Sequence, residues 1–560
     1  MLGSGGGVIP GRRRQRRSLL ATFDEEQDRS EQTMKSEVLL GDEGVALAAI
    51  HAGIRAAFSY PGTPATEILE FIERRGGGDQ GDHGPIACWS TNEKVAYEEA
   101  LGVSYAGQRA LVSMKHVGLN VAADPFMNSA ITGANGGLVV VVADDPGMHS
   151  SQNEQDTRYY AHFARLPAYE PADQQEAYDM TLAAFEDSQR LGLPVVVRLV
   201  TRLAHSRAPV NVRSEPQAAP DLGVVKDASG WTLLPVNARR QFKSLLRKYD
   251  GLLSSTEESA YNELRLAGPR GIICAGIAYN YVRENLDGKG DFSLLRISHY
   301  PLPAKKIREL VAHCDEVLVV EDGYPFIEEQ IDGVVGVSGT RLLGRRSGNL
   351  PASGELTPEL VREAMGLARP ATREAIGDLA GRPPQLCQGC PHTDTYHHLA
   401  EALKPYGDAV LFSDIGCYTL GALPPYNAIK SCVDMGASIG MARGAALAGV
   451  HPACCAIGDS TFAHSGITPL VSAAEDDTNM TVFILDNATV AMTGGQETMA
   501  TGESIVKLVA GAGVKPEHIQ VIEPLSKYHE GNVRIIRREI DHQGLSVVIS
   551  KRACIQIKRT

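Results

Sequence analysis

Two apolar runs in the last third of this 560-residue chain end in oxygen-bearing side chains. Residues 453–457 lead into Gly458-Asp459-Ser460, and residues 481–485 lead into Asp486-Asn487-Ala488-Thr489. In open α/β sheets, ligands bind beyond the carboxyl ends of strands. The interval between Asp459 and Asn487 leaves room for one helix and one strand, so the two runs are expected as neighbours with both oxygen donors at one edge. Hard oxygens of this kind suit Mg2+, which readily shares them with phosphate oxygens. Gly458 permits a tight turn, and Gly494-Gly495 suits a loop close to a ligand. The plain alternative is an ordinary glycine turn beside an unrelated asparagine.

Further groups could do chemistry. Glu93 opens a helical pattern with a small-residue face at Ala96, Ala100 and Gly102; it acts on a ligand or merely favours the helix macrodipole. Thr63, in Tyr60-Pro61-Gly62-Thr63-Pro64, offers a hydroxyl to a cofactor or a carboxylate, unless the segment is only a proline-led helix start. His464, and likewise His116, is a candidate for proton transfer or a locally satisfied histidine. Cys387 and Cys390 form a C-x-x-C, with Cys417 and Cys554 further on. Four thiolates can hold a [4Fe–4S] cluster, which accepts electrons one at a time. Zinc is a competing reading, given His392, His397 and His398 nearby, although the spacing is not that of a usual finger; unligated structural cysteines are another. Cys454 and Cys455 fall mid-strand and read as core. Gly436, Gly440 and Gly444 suggest close helix packing, and the polar residues 150–156 suit substrate or partner contact.

Elements must position these groups. Apolar, β-branched runs recur at residues 56–60, 111–114, 137–142, 194–200, 271–274, 316–320, 409–412 and 481–485. Such continuous runs suit parallel strands buried on both faces. Helical patterns separate them, as at residues 94–106, so the expected class is α/β with several doubly wound parallel-sheet domains. Proline-bearing polar stretches at residues 206–222 and 344–385 mark boundaries. They divide the chain into an extension (1–35), an α/β domain (36–210), a helical linker (211–265), a smaller α/β domain (266–350), a linker (351–385) and a final α/β domain (386–560).

With net charge −13, the chain is a poor candidate for nucleic-acid binding, because it repels the phosphate backbone. The basic run Arg12, Arg13, Arg14, Arg16, Arg17 is followed at once by Asp24-Glu25-Glu26 rather than by a signal-peptide apolar stretch, and reads as a disordered tail. No run approaches the roughly 18 apolar residues of a membrane span. Ten cysteines, crowded towards the last third, favour metal or redox chemistry in a cytoplasmic protein over a disulfide framework.

The strand–Gly-Asp–strand–Asn pattern resembles the diphosphate motif of thiamine-dependent enzymes. That resemblance implies thiamine diphosphate bound through Mg2+ on Asp459, Asn487 and the carbonyl of Thr489, with Gly458 and Ser460 alongside; Ser460 replaces the usual glycine. It also implies that Glu93, nine residues before the helix glycine Gly102, hydrogen-bonds the aminopyrimidine ring. The segments YPGTPATEI (60–68), NEKVAYEEALGVSYAG (92–107), MKHVGLNVAADP (114–125), CQGCPH (387–392), DIGCYTLG (414–421), GDSTFAHSGI (458–467) and DNATVAMTGGQ (486–496) are closely similar to the large subunits of indolepyruvate:ferredoxin oxidoreductases, within the 2-oxoacid:ferredoxin oxidoreductases.

This resemblance implies oxidative decarboxylation of an indolepyruvate- or phenylpyruvate-type 2-oxoacid, with CoA, to an aryl-acetyl-CoA, CO2 and low-potential electrons. It implies one [4Fe–4S] cluster on Cys387, Cys390, Cys417 and Cys554, and adds Gly416 and Cys417 to the cofactor-binding set. A small β subunit carrying an acceptor domain is the implied partner, in an α2β2 assembly. Because the cofactor sits between two domain types in such enzymes, a dimer of this chain is also expected. The family's large subunit usually continues into a ferredoxin-like domain; this sequence has no such run before Thr560, so a separate ferredoxin or other acceptor is expected. Two rivals stand beside this reading: a non-oxidative thiamine decarboxylase, and a catalytically silent electron-transfer or assembly subunit.

Overall fold

The computed structural model describes residues 34–76, 84–218, 222–224, 228–286, 291–333, 336, 339–368, 384–407 and 409–557. The basic run at residues 12–17 and residues 369–383 of the proline-bearing stretch lie outside them. The apolar runs become strands in three main sheets, as an α/β architecture requires. The first third contributes β1 (Met34–Leu40), β2 (Ala56–Ser59), β3 (Ile86–Trp89), β4 (Ala110–Lys115), β5 (Leu138–Asp144), β6 (Ala168–Tyr169), β7 (Val195–Val200) and β8 (Arg207–Arg213). The middle adds β9 (Leu264–Arg265), β10 (Arg270–Ala275), β11 (Phe292–Ile297), β12 (His299–Tyr300), β13 (Glu316–Val320) and β14 (Arg341–Leu343). The last third holds β15 (Val410–Ser413), β16 (Ala453–Gly458), β17 (Met480–Asp486), β18 (Ile519–Ile522) and β19 (Leu545–Lys551).

The first large sheet runs β12-β6-β7-β5-β4-β2-β3, the second β14-β13-β10-β11-β9 and the third β15-β16-β17-β19-β18. Every pair in the third sheet is parallel, as are those from β6 through β3 in the first. β4, β5 and β7 are buried along their whole lengths, which explains their unbroken apolar sequence.

Two strands depart from the sequence reading. Residues 207–213, expected at a boundary, form β8 and pair antiparallel with β1, setting Pro209 opposite Val38. This ribbon has only two strands, and edge positions tolerate proline. β12 leaves the middle unit to pair with β6 of the first sheet. The first two sheets therefore share a core: Phe185 and Ile272 fall in one apolar cluster, and Val140 and Leu295 in another. An ion network seals the seam. Buried Arg198, paired with Asp144 of its own sheet, donates to the Asp322 carbonyl at 2.9 Å, and buried Arg158 reaches Glu321 at 2.8 Å. Removing one partner of such a buried pair costs about 3–5 kcal/mol. The third sheet packs its two faces on cores of its own.

Among the described residues, no helix is long and apolar enough to cross a membrane.

Candidate active site

The carboxyl ends of β2, β3 and β4 face those of β15, β16 and β17, and a solvent-open cleft with room of about 180 Å³ for water-sized groups lies between them. Its wall includes Thr63, Glu93 and Lys115 from the first sheet, and Gly416, Cys417, Gly458, Asp459, Ser460, Asn487 and Thr489 from the third. A single chain thus supplies both halves. The expected reason for a dimer, a cofactor site needing two domain types, is met without a second copy.

Parallel pairing of β16 with β17 puts Gly458 opposite Leu485 and so sets Asp459 and Asn487 side by side at the strand ends. Asp459 Oδ1 accepts from the Ser460 amide and Oδ2 from the Ala488 amide, both at 2.8 Å. Burial, and then the Asp486 carboxylate, push its carboxyl up to about 8. Asp486 accepts from Gly502 N and Thr501 Oγ1 at 2.7 Å, and its Oδ1 also faces the Ala488 amide that Asp459 uses, at 3.2 Å. Asn487 Oδ1 accepts from Thr489 N at 3.1 Å. Asp459, Asn487 and Thr489 are all buried. This oxygen set fits a divalent cation such as Mg2+, whose charge would offset the penalty of ionising buried Asp459. At Gly458 space is the constraint: a Cβ would stand 2.6 Å from the Tyr418 ring. Ala488, between the two ligand candidates, is left-handed at φ 61°, a strained state for a residue with a side chain.

Glu93 begins the helix Glu93–Tyr105, capped by Asn92, whose side chain accepts from Val95 N at 2.9 Å. The Asn92 side-chain amide also donates to the His464 carbonyl at 2.9 Å, so one residue both starts this helix and ties the two sheets together. Glu93 is 5 % exposed, and its Oε2 lies 2.8 Å from His464 Nε2. A Cβ at Gly118 would stand 2.6 Å from Glu93 Oε1, so glycine there leaves room for the carboxylate. His464 sits in a π-helical turn, Phe462–Gly466, a distortion frequent at functional sites. It lies behind Glu93 and is not among the residues lining the cleft, unlike the expectation of direct proton transfer at a reacting carbon. The Tyr60 hydroxyl is 2.7 Å from Ser460 Oγ, a further bond across the cleft.

Thr63 lines the cleft, and its carbonyl accepts from Ser150 Oγ at 3.3 Å. Ser150 and Gln152 bring the polar loop to the same wall. His116 does not line it; its Nε2 lies 3.2 Å from the Asn153 carbonyl. Sequence reasoning missed Lys115. It ends β4, lines the cleft and donates to the Ser150 carbonyl at 2.7 Å. Burial pulls its ammonium down to about 8, against the opposing pull of Asp145 and Glu93. The only available signal was a lysine closing a buried apolar strand.

The four cysteines come together beside the cleft. Burial raises the Cys417 thiol to about 11, helped by Cys390, Cys554 and Cys387. Cys390 N donates to the Cys387 carbonyl at 3.1 Å, and Cys554 N to the Asn487 carbonyl at 2.9 Å. Cys417 also lines the cleft, so it stands between both regions. Among the described residues, no three of these sulfurs lie within 4.8 Å of one another. Cys454 and Cys455 are fully buried in β16, as core. Gly440 and Gly444 do not pack as expected: a Cβ at either meets nothing within 4 Å, whereas one at Gly436 would stand 2.5 Å from Ser465.

Comparison with known proteins yields two family models. "Pyruvate flavodoxin/ferredoxin oxidoreductase, thiamine diP-bdg" matches residues 47–223, and "Thiamine pyrophosphate enzyme, C-terminal TPP binding domain" matches residues 414–549. The chain is 38% identical over 545 residues to indolepyruvate oxidoreductase subunit IorA of Methanothermobacter thermautotrophicus, covering 92% of this chain and 86% of that one. It is 37% identical to the subunit of the same name from Archaeoglobus fulgidus, with the same coverage. Against that from Pyrococcus abyssi the identity is 35%, over 92% of this chain and 85% of the relative.

Proposed function

The chain belongs to the family of indolepyruvate oxidoreductase large subunits, thiamine-diphosphate-dependent oxidoreductases of 2-oxoacids, and on that premise we propose that its substrate is an aryl 2-oxoacid of the indolepyruvate or phenylpyruvate type. The carboxylate carbon leaves as CO2, the acyl carbon is joined to the sulfur of CoA, and two electrons and a proton are released. The electrons go to ferredoxin or another low-potential acceptor. The decisive observation is the meeting of Glu93 and Asp459, from different sheets, in one cleft.

Bound thiamine diphosphate supplies the electron sink for loss of CO2. Asp459, Asn487 and the Thr489 carbonyl would hold Mg2+ and through it the diphosphate, with Gly416, Gly458 and Ser460 alongside. Glu93 hydrogen-bonds the aminopyrimidine ring. His464 is a positioning residue that holds the Glu93 carboxylate from behind. Lys115 and Thr63 offer a cation and a hydroxyl to the substrate carboxylate. Cys387, Cys390, Cys417 and Cys554 hold one [4Fe–4S] cluster, with Cys417 nearest the cleft. A small β subunit with an acceptor domain completes a cytoplasmic α2β2 enzyme.

An anaerobic assay of the chain with its co-expressed partner tests this reading. Indolepyruvate, phenylpyruvate, pyruvate and 2-oxoglutarate are compared with and without CoA, using a viologen acceptor. Preference for an arylpyruvate and dependence on CoA are expected. Preference for pyruvate or 2-oxoglutarate contradicts the substrate assignment, and an iron-free enzyme that still turns over contradicts the cluster.

A further inference from the structure

Away from the cleft, three helices bring Asp42, Glu67 and His205 together. Asp42 and Glu67 lie in the first turns of Gly41–His51 and Thr66–Gly76, and His205 ends Thr201–His205. One ligand atom from each lies within 4.8 Å of the others. Asp42 is fully buried, and neither of its carboxylate oxygens has a hydrogen-bond partner. The His205 ring pairs with Glu67, Nε2 lying 3.3 Å from Oε2, a contact that holds the Glu67 carboxyl down and the imidazole up. Glu43, the other acid of that turn, is engaged elsewhere, accepting from Leu40 N at 2.9 Å and pairing with Arg207 at 3.2 Å. Burial and the Glu67 and Glu43 charges raise the Asp42 carboxyl well above the usual carboxylate range.

A buried carboxylate with no donor, as Asp42 is, is costly, and its convergence with a second carboxylate and an imidazole makes a ligand set short of its cation. We propose that Asp42, Glu67 and His205 bind one divalent first-row transition cation of the Mn2+ or Zn2+ class. Mixed nitrogen and oxygen donors suit such ions better than Ca2+ or Mg2+, which prefer oxygen alone. The Glu67 and His205 side chains are 33% and 34% exposed, so the ion has an entry path and room for water. The frame is rigid: a Cβ on Gly41 would stand 2.3 Å from the Leu203 carbonyl oxygen, so the first and third helices are in backbone contact. Glu67 lies four residues after Thr63, in the first turn of the helix Thr66–Gly76 that follows it, and the ion clamps the segment that carries Thr63 to the cleft.

The full chain, stripped of metal and free of thiamine diphosphate, is titrated with Mn2+, whose free-ion EPR signal falls on binding. Mn2+ avoids thiolates, and Asp459→Asn removes the cleft's own carboxylate. One Mn2+ per chain is expected in both wild type and Asp459→Asn. Affinity is expected to fall at least about tenfold in Asp42→Asn and in His205→Gln, and Mn2+ is expected to raise Tm in wild type but not in Asp42→Asn. His205 is partly exposed, so its variant keeps the test decisive if Asp42→Asn misfolds. Unchanged affinity in His205→Gln, or no binding to folded wild type, overturns the proposal.

Discussion

The cleft and the cysteine group touch at Cys417, yet they are built in opposite ways. The cleft's groups stand at the ends of buried parallel strands and at a capped helix start, and Tyr60–Ser460, Asn92–His464 and Glu93–His464 bonds lock them across two sheets. The cysteines ride on loops and on the segment after β19. Cys387 is exposed, and Cys554 is anchored through its amide to Asn487. The cleft is pre-organised by bonds between the two sheets, whereas among the described residues no such cross-sheet side-chain bonds are made by the cysteines.

Substitutions that separate the two regions sharpen this contrast. Glu93→Gln is expected to lower kcat about 10²–10⁴-fold, with Tm and iron content unchanged; steady-state assays beside iron analysis check it. Cys390→Ser is expected to remove visible absorbance and iron and to cut acceptor reduction about 10–100-fold, while calorimetry still shows thiamine diphosphate binding. Lys115→Met tests the cleft's substrate end. The Lys115 ammonium carries its charge below about 8, so KM for the 2-oxoacid anion rises in wild type as pH climbs through that value. In the variant KM is high and flat, about tenfold above wild type at neutral pH, the worth of one charge-assisted hydrogen bond. The smallest effect is expected for His464→Gln, which keeps a donor facing Glu93 and lowers kcat only a few-fold; His464→Leu is worse.

The same contrast governs what the sequence reveals. Strands buried on both faces, such as β5 with its run of valines, are legible because nothing polar interrupts them. β1 and β8 escape notice because a two-stranded ribbon keeps polar residues on its open side, and two-residue strands such as β6 and β12 have no period at all. Asp459, Asn487 and Glu93 carry local spacing that a linear reading detects. Lys115 carries none, and Asp42, Glu67 and His205 are too far apart in sequence to suggest one another. His464 was visible as a histidine near Gly458, but a π-helical turn directs it behind Glu93 instead of into the cleft wall, a local geometry that residue types do not encode.

In the proposed function, Glu93 activates a cofactor held by Asp459 and Asn487. Deuterium exchange at the thiazolium C2 position of enzyme-bound thiamine diphosphate, followed by quenched-flow NMR in wild type and Glu93→Gln, tests it most directly. The account predicts exchange slowed about 10²-fold or more in the variant, with the cofactor still bound. Exchange at the wild-type rate in a cofactor-loaded Glu93→Gln enzyme would contradict it.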